Sequence, residues 1–455
     1  MVEGINLMKS VRKRKTAPTS VTSPDFLQED RLQKIQIERL RKIVSRAYGH
    51  TELYRRRMDA KGVKAEDLKS LEDIGHLPFT VKNDLRDTYP FGLFASPMSE
   101  IVRLHASSGT TGKPIVVAYT QQDLDVWTDS MTRTFAACGL HSGDIIQNAY
   151  GYGLFTGGLG AHYGAEKLGA TVIPVSGGNT DRQLMILQDF GTTAFCSTPS
   201  YFTFMLERAS EMGIDIRKLP LRAGIFGAEP WTEEMRAHIE KSSGIKAYDI
   251  YGLSEITGPG VGSECECQDG LHVFEDYFYP EIIDPKTGKV LPEGEEGELV
   301  LTTLCKQAMP MIRYRTRDIT MIIPEKCECG RTIRRIRRIN RRSDDMLIIR
   351  GVNIFPSQIE SAILAVEGTL PHYQIVLSRE KGLDHIEVQV EVTEKVFSDK
   401  VGALEELQSR LVQALENVTS IRIGVRLVAH QTIKRSEGKA KRVIDNRDQK
   451  QGNLQ

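Results

Sequence analysis

The sequence predicts an α/β protein with a large, composite N-terminal domain and a small α+β domain at the C-terminus. Three observations carry this. The chain has 455 residues, about three times a common single-domain length. From about 100 to 300, short β-rich runs alternate with helical stretches, as layered and partly parallel sheets require. After residue 343 the pattern restarts, and the remainder is the size of an independent small domain.

Residues 1–24 carry Lys9, Arg12, Lys13, Arg14 and Lys15 without apolar periodicity, which predicts a flexible basic tail. From Phe26 to Tyr54, Leu32, Ile35, Leu40, Ile43 and Val44 fall at helical spacing. Strands are expected at 101–104, 115–117, 171–173 and 224–226, with helices at 121–137 and 199–212 between them. Pro285–Gly288 and Pro292–Gly297 punctuate a hairpin-like segment. Beyond 343, Met346–Ile349 reads as a short strand and Ser357–Val366 as a helix. Ile386, Val388, Val390 and Val392 alternate as a strand does. Leu404, Leu407, Leu411 and Leu415 share a helix face, and 421–428 alternates again.

Composition narrows the function classes. Lys+Arg and Asp+Glu are both 60, so the formal net charge is zero. That argues against a nucleic-acid binder and against an acidic disordered chain. No apolar run approaches the ~18 residues of a membrane span, and the first residues lack a secretory pattern. Seven cysteines is too sparse and too odd for a disulfide scaffold. A soluble, reducing-compartment and hence cytoplasmic protein, with neither nucleic-acid nor membrane partners, is expected.

The sharpest motif is Ser107-Ser108-Gly109-Thr110-Thr111-Gly112-Lys113-Pro114. Two glycines permit unusual backbone geometry, while four hydroxyls and a lysine offer donors to anionic oxygens. It is not a Walker loop, which needs four residues between its glycines and a helix after the lysine. Pro114 and flanking β-rich runs predict strand–loop–strand, a flap over nucleotide phosphates.

With Tyr251-Gly-Leu-Ser-Glu255, Tyr314-Arg-Thr-Arg-Asp318 and Arg342-Ser-Asp-Asp345 following in order, the chain resembles the adenylate-forming ligases. Within them it is similar to the phenylacetate–coenzyme A ligases, on the strings 150–158, 275–284 and 344–360. The likeness runs from about 25 to 447. It implies ATP-dependent activation of an acid to an acyl-adenylate, then transfer to coenzyme A with release of AMP. An aryl acetic acid is the expected substrate, phenylacetate first. Another acid (indoleacetate, a hydroxyphenylacetate, a deazaflavin-linked substrate) and a non-catalytic nucleotide-binding relative are the alternatives. The resemblance also admits a homodimer.

Site residues follow from the same likeness. Glu255 would hold Mg²⁺, a hard ion that suits a carboxylate, and Lys113 would meet the phosphates. Asp318 would accept the ribose hydroxyls, with Arg342 reaching ribose or phosphate. Gly227-Ala228-Glu229-Pro230 and Asp249-Ile250-Tyr251-Gly252 would frame the adenine, Tyr251 stacking on it. Tyr150 and Phe155 resemble aromatic walls of the acyl pocket. Lys439 maps to the adenylation lysine, although 434–442 alone would read as a solvated basic cluster. Asp344 falls at the hinge position, where Arg341 replaces the glycine usual in relatives.

Cys265, Cys267, His272, Cys327 and Cys329 form a second cluster whose ligand types suit tetrahedral Zn²⁺. Ligases resembling this one carry a matching arrangement, which favours Cys265, His272, Cys327 and Cys329, with Cys267 as competitor. A closed four-ligand site is structural, here a zinc-binding insertion at about 263–330.

Overall fold

The computed structural model describes residues 23–107, 114–339, 341–349, 352–380, 383–393, 401–436 and 439–447. The basic arm and Ser108, Gly109, Thr110, Thr111, Gly112 and Lys113 lie outside the described residues. Ser23 caps a 3-10 turn at Pro24–Phe26, and Asp25 is buried against Arg133 and Arg331.

The first helical region is two helices, α1 (Glu29–His50) and α2 (Glu52–Lys61), rather than one. Thr51 separates them in an extended conformation, and its hydroxyl donates to the Ala47 carbonyl at 2.7 Å. Helix α3 (Lys82–Asp87) precedes β1 (Arg103–Ala106) and β2 (Val116–Tyr119). These two pair antiparallel, Arg103 opposite Tyr119 and Ala106 opposite Val116. The flap motif is thus flanked by the strands expected of it.

Among the described residues, nine strands form the central sheet. Five are parallel in register: β3 (Ile145–Asn148), β4 (Thr171–Ile173), β5 (Ala194–Ser197), β6 (Ala223–Phe226) and β7 (Lys246–Leu253). β7 also pairs antiparallel with β8 (Gly258–Ser263), and β9 (Leu271–Val273) extends that half. Helix α4 (Gln121–Ala137) precedes β3, and α5 (Gly157–Leu168), α6 (Thr180–Asp189), α7 (Pro199–Glu211) and α8 (Glu233–Ser243) connect the parallel strands. Alternation along the strands splits their side chains between two cores. Ala194, Cys196, Ala223 and Ile225 face one, while Phe195 and Phe226 face the other.

A second sheet comprises β10 (Phe278–Ile283), β11 (Gly297–Thr303) and β12 (Tyr314–Thr320). β13 (Ile322–Ile323) and β14 (Arg335–Ile336) return to the central sheet, and β15 (Arg341–Arg342) joins β12. Within 263–330, β9 belongs to the central sheet and β10, β11 and β12 to the second.

The C-terminal part begins with the hairpin of β16 (Leu347–Ile349) and β17 (Val352–Ile354), then α9 (Pro356–Leu364). Strands β18 (Thr369–Glu380), β19 (Leu383–Val392), β20 (Gly424–Val428) and β21 (Val443–Asp445) make its sheet. α10 (Val401–Thr419) places Leu407, Leu411 and Leu415 on that sheet, at the predicted helical spacing. The core they form with Ile375, Val388 and Val390 is separate from the two cores that flank the central sheet. Among the described residues no helix is long and apolar enough to cross a membrane.

Candidate active site

Because β3, β5, β6 and β7 run parallel, the segments that follow them emerge at one edge of the sheet. Ligand crevices form at that edge in open α/β sheets. Gly227-Ala228-Glu229-Pro230 follows β6. A Cβ on Gly227 would stand 2.5 Å from the Ile250 carbonyl oxygen, so only glycine lets this turn lie against β7. Glu229 Oε1 accepts from the Ser200 N–H at 2.8 Å, at the first turn of α7, where a carboxylate suits the positive end of the helix dipole. Its Oε2 accepts from the Ala440 N–H at 2.9 Å, so one carboxylate joins the large domain to the segment carrying Lys439.

Asp318 and Arg342 stand opposite each other on β12 and β15. Asp318 is buried; Oδ1 accepts from Arg342 Nη1 at 2.7 Å and Oδ2 from the Tyr251 hydroxyl at 2.5 Å. Burial pushes the Asp318 carboxyl up to about 6, against the pull of the Arg342 guanidinium. Arg342 also donates to Asp344, at 3.0 and 3.2 Å, and lies 3.8 Å from Asp345. Lys439 joins Glu229, Arg342, Asp344 and Asp345 around a cavity of ≈ 520 Å³ between the two parts of the chain. Arg341, the residue at the usual glycine position, is bonded to Glu296 at 2.5 Å and stacks over Phe355.

Glu255 occupies the turn between β7 and β8 and is buried. Lys82 Nζ lies 3.9 Å from its Oε1. Gly252 makes that turn tight: a Cβ there would meet the Gly258 carbonyl oxygen at 2.0 Å. Of the predicted adenine frame, Asp249 and Ile250 direct their side chains inward. Asp249 accepts from the Trp231 indole at 2.9 Å and faces Arg338 at 3.4 Å, and Ile250 packs into the main core. Tyr150 is buried, its hydroxyl donating to the Ile225 carbonyl at 3.2 Å, whereas Phe155 is half exposed. Ser107 hydrogen-bonds back to Ile115 at the mouth of the flap.

Three residues beside these escaped the sequence reading. Lys306 is buried, donates to the Glu255 carbonyl at 3.3 Å and lies over the Tyr119 ring. Desolvation lowers its ammonium to about 8, opposed by Asp123 and Glu255. Nothing in its local string announces this. Ser200 was detectable, since Thr198-Pro199 is a cap followed by proline at the first helical position. Lys82 had no signal.

Cys265, His272, Cys327 and Cys329 converge, their ligand atoms all within 4.8 Å of one another. Cys265 Sγ lies 3.6 Å from Cys327 Sγ, and Cys329 Sγ lies 3.4 Å from His272 Nε2. His272 Nδ1 faces the Ile333 carbonyl at 3.4 Å, the arrangement that leaves Nε2 free for a metal. Cys267 is exposed and outside this group.

Residues 33–306 match the AMP-binding enzyme family, and 351–447 match the AMP-binding enzyme C-terminal domain. The chain is 50% identical to a phenylacetate-coenzyme A ligase of Aromatoleum evansii, over 94% of this chain and 99% of that one. To the ligase of that name in Pseudomonas putida it is 52% identical, over 92% and 95%. Among solved structures it resembles a 2-hydroxyisobutyryl-CoA ligase in the postadenylation state, with TM-score 0.88, 31% identity, and 93% and 91% of the two chains covered. The same ligase in its thioesterification state, at 32% identity and 93% and 92% coverage, gives 0.69.

Proposed function

Since the chain belongs to the phenylacetate–coenzyme A ligases among the AMP-binding enzymes, we propose that it activates an arylacetic acid, phenylacetate first, in two steps. The acid's carboxylate attacks the α-phosphate of ATP, pyrophosphate leaves, and the acyl-adenylate then passes its acyl group to the coenzyme A thiol with loss of AMP. The supporting observation is that Lys439 and Arg342, from separate parts of the chain, line one cavity.

Each residue's part follows from its surroundings. Asp318 offers two carboxylate oxygens to a ribose, and Arg342 and Tyr251 keep them oriented. Glu229 holds the Lys439 segment, so an ammonium is positioned where charge builds on phosphate oxygens. Lys113 and the flap hydroxyls would supply further donors. Glu255 would hold Mg²⁺, whose charge neutralises phosphate oxygens when bound. Lys306 supports the Glu255 backbone. Tyr150 and Phe155 would shape the acyl pocket, and Asp344 would be the pivot for moving the small domain from residue 344 onward.

The Cys265, His272, Cys327 and Cys329 group fits Zn²⁺ in donor type and in mutual distance, and would hold it as a closed structural site. A cytoplasmic setting keeps such thiols reduced. Small-molecule substrates need no membrane or nucleic-acid partner, and a homodimer is proposed from the resemblance alone.

A second reading, an acid other than an arylacetate, is favoured by the likeness to the 2-hydroxyisobutyryl-CoA ligase. Pyrophosphate release across a panel of acids with ATP and coenzyme A separates the two. Phenylacetate should give the highest kcat/KM, and a clear preference for an aliphatic hydroxy acid refutes the first reading. Lys439→Ala should abolish adenylation yet leave thioester formation from supplied adenylate intact.

A further inference from the structure

Helix α7 touches the small domain at both ends. Its first turn holds Glu229, which binds the Ala440 N–H. Toward its C-terminus Glu207 and Glu211 stand four residues apart, hence on one face. Glu207 Oε2 accepts from Arg435 Nη2 at 3.0 Å, and its Oε1 lies 2.6 Å from His372 Nε2. Glu211 Oε1 accepts from Gln431 Nε2 at 2.7 Å and lies 3.4 Å from His430 Nε2.

The small-domain side is built to present these groups. Glu391 is fully buried, and its carboxylate takes Arg435 at 2.7 Å through each oxygen and the N–H groups of Gln431 and Ile433. The segment before Lys439 is thereby fixed to its own sheet, with one edge of the Arg435 guanidinium left for Glu207. The Glu207 contacts to Arg435 and His372 are largely screened from water, where a charged pair is worth more than at a surface, whereas the Glu211 contacts are exposed.

We infer that the acidic face of α7 is a dock that holds the small domain in its adenylation arrangement, with Glu207 as the positioning residue. The inference rests on the two-step reading above. At matching coverage the chain agrees with the 2-hydroxyisobutyryl-CoA ligase at 0.88 in the postadenylation state and at 0.69 in the thioesterification state. The docking contacts described here therefore belong to the first of those arrangements. Every one joins the two parts of the chain, so each must break if the small domain turns. The dock sets how often Lys439 is in place without touching substrate, and so acts on one half-reaction.

The test uses the full chain and follows the half-reactions separately. Glu207→Gln keeps the shape and removes the charge. It should slow single-turnover pyrophosphate release about tenfold, the scale of one lost charge-assisted contact. KM for ATP should stay unchanged, and thioester formation from supplied adenylate and coenzyme A should be unchanged or faster. Arg435→Gln should slow adenylation too, and adding Glu207→Gln to it should cost nothing more, the non-additivity expected of contacting partners. An equal loss in both half-reactions, or full additivity in the double variant, overturns the dock. So does unaltered adenylation in Glu207→Gln alongside a Lys439→Ala protein that cannot adenylate. If Lys439→Ala itself adenylates normally, Lys439 is not the adenylation lysine, and the dock falls with that assignment while the two-step reading stands.

Discussion

The proposed role of Asp318 as the ribose acceptor gives the pH dependence of ATP use a calculable form. Its carboxyl sits at about 6 instead of 3.8, chiefly through burial. A shift of that size costs about 3 kcal/mol of ionisation free energy. A protonated carboxyl can no longer accept from two ribose hydroxyls while holding Tyr251 and Arg342. Only about a tenth of the molecules would carry the anion at pH 5, against about nine-tenths at pH 7. The expected result is a kcat/KM for ATP that falls roughly tenfold from pH 7 to pH 5, with a midpoint near 6, since this parameter reports the free enzyme. Asp318→Asn should be weak at every pH and lack that step. Stability supplies an independent check. Between 3.8 and 6 the folded state keeps a proton that the unfolded state has released, so stability falls as pH rises through this window and is level above it. The difference in unfolding free energy between Asp318→Asn and the parent should therefore move by about 2.4 kcal/mol in the variant's favour from pH 4 to pH 7. Urea titrations at both pH values measure it. An identical acid limb in parent and variant, together with a pH-independent stability difference, would falsify the assignment.

Other perturbations act elsewhere in the molecule. Gly252→Ala puts a Cβ against the Gly258 carbonyl, so the β7–β8 turn must open. A loss of about 1–3 kcal/mol and slower ATP–pyrophosphate exchange are expected, and an unaltered melting temperature refutes the close approach. Leu411→Ala hollows the core of the small domain, where Leu411 is fully buried. It should cost about 2–5 kcal/mol, with denaturant curves showing the small domain melting ahead of the large one. Cys327→Ser, or removal of metal by a strong chelator, should take purified protein from one zinc per chain to none and lower its melting temperature. Metal analysis finding no zinc in the parent protein refutes the site.

Some of this was legible because it is local. The helix at 121–137 was readable from periodicity, and Thr120 starts it by accepting from the Asp123 N–H while Asp123 accepts from Thr120. The alternation at 386–392 and the leucines of α10 were readable for the same reason. The helix break at Thr51 was not, because a single extended residue leaves the apolar spacing on either side intact. Among the site residues, the strings around Glu255, Asp318 and Arg342 stood out as motifs. What Asp318 and Arg342 do to each other depends on a strand pairing no string reveals.

By itself, then, the sequence determined the α/β class, the small C-terminal unit, the likeness to acid–coenzyme A ligases and the residue types of both sites. Periodicity and short motifs are properties of neighbouring residues, and a linear reading captures them. Only the tertiary structure decided which four of five Cys and His side chains converge and that Lys306 is buried beneath Glu255. It alone brought Glu207 to Arg435 and Glu229 to Ala440. Those pairs are more than two hundred residues apart in the chain. Their energies exist only once folding removes water from between them.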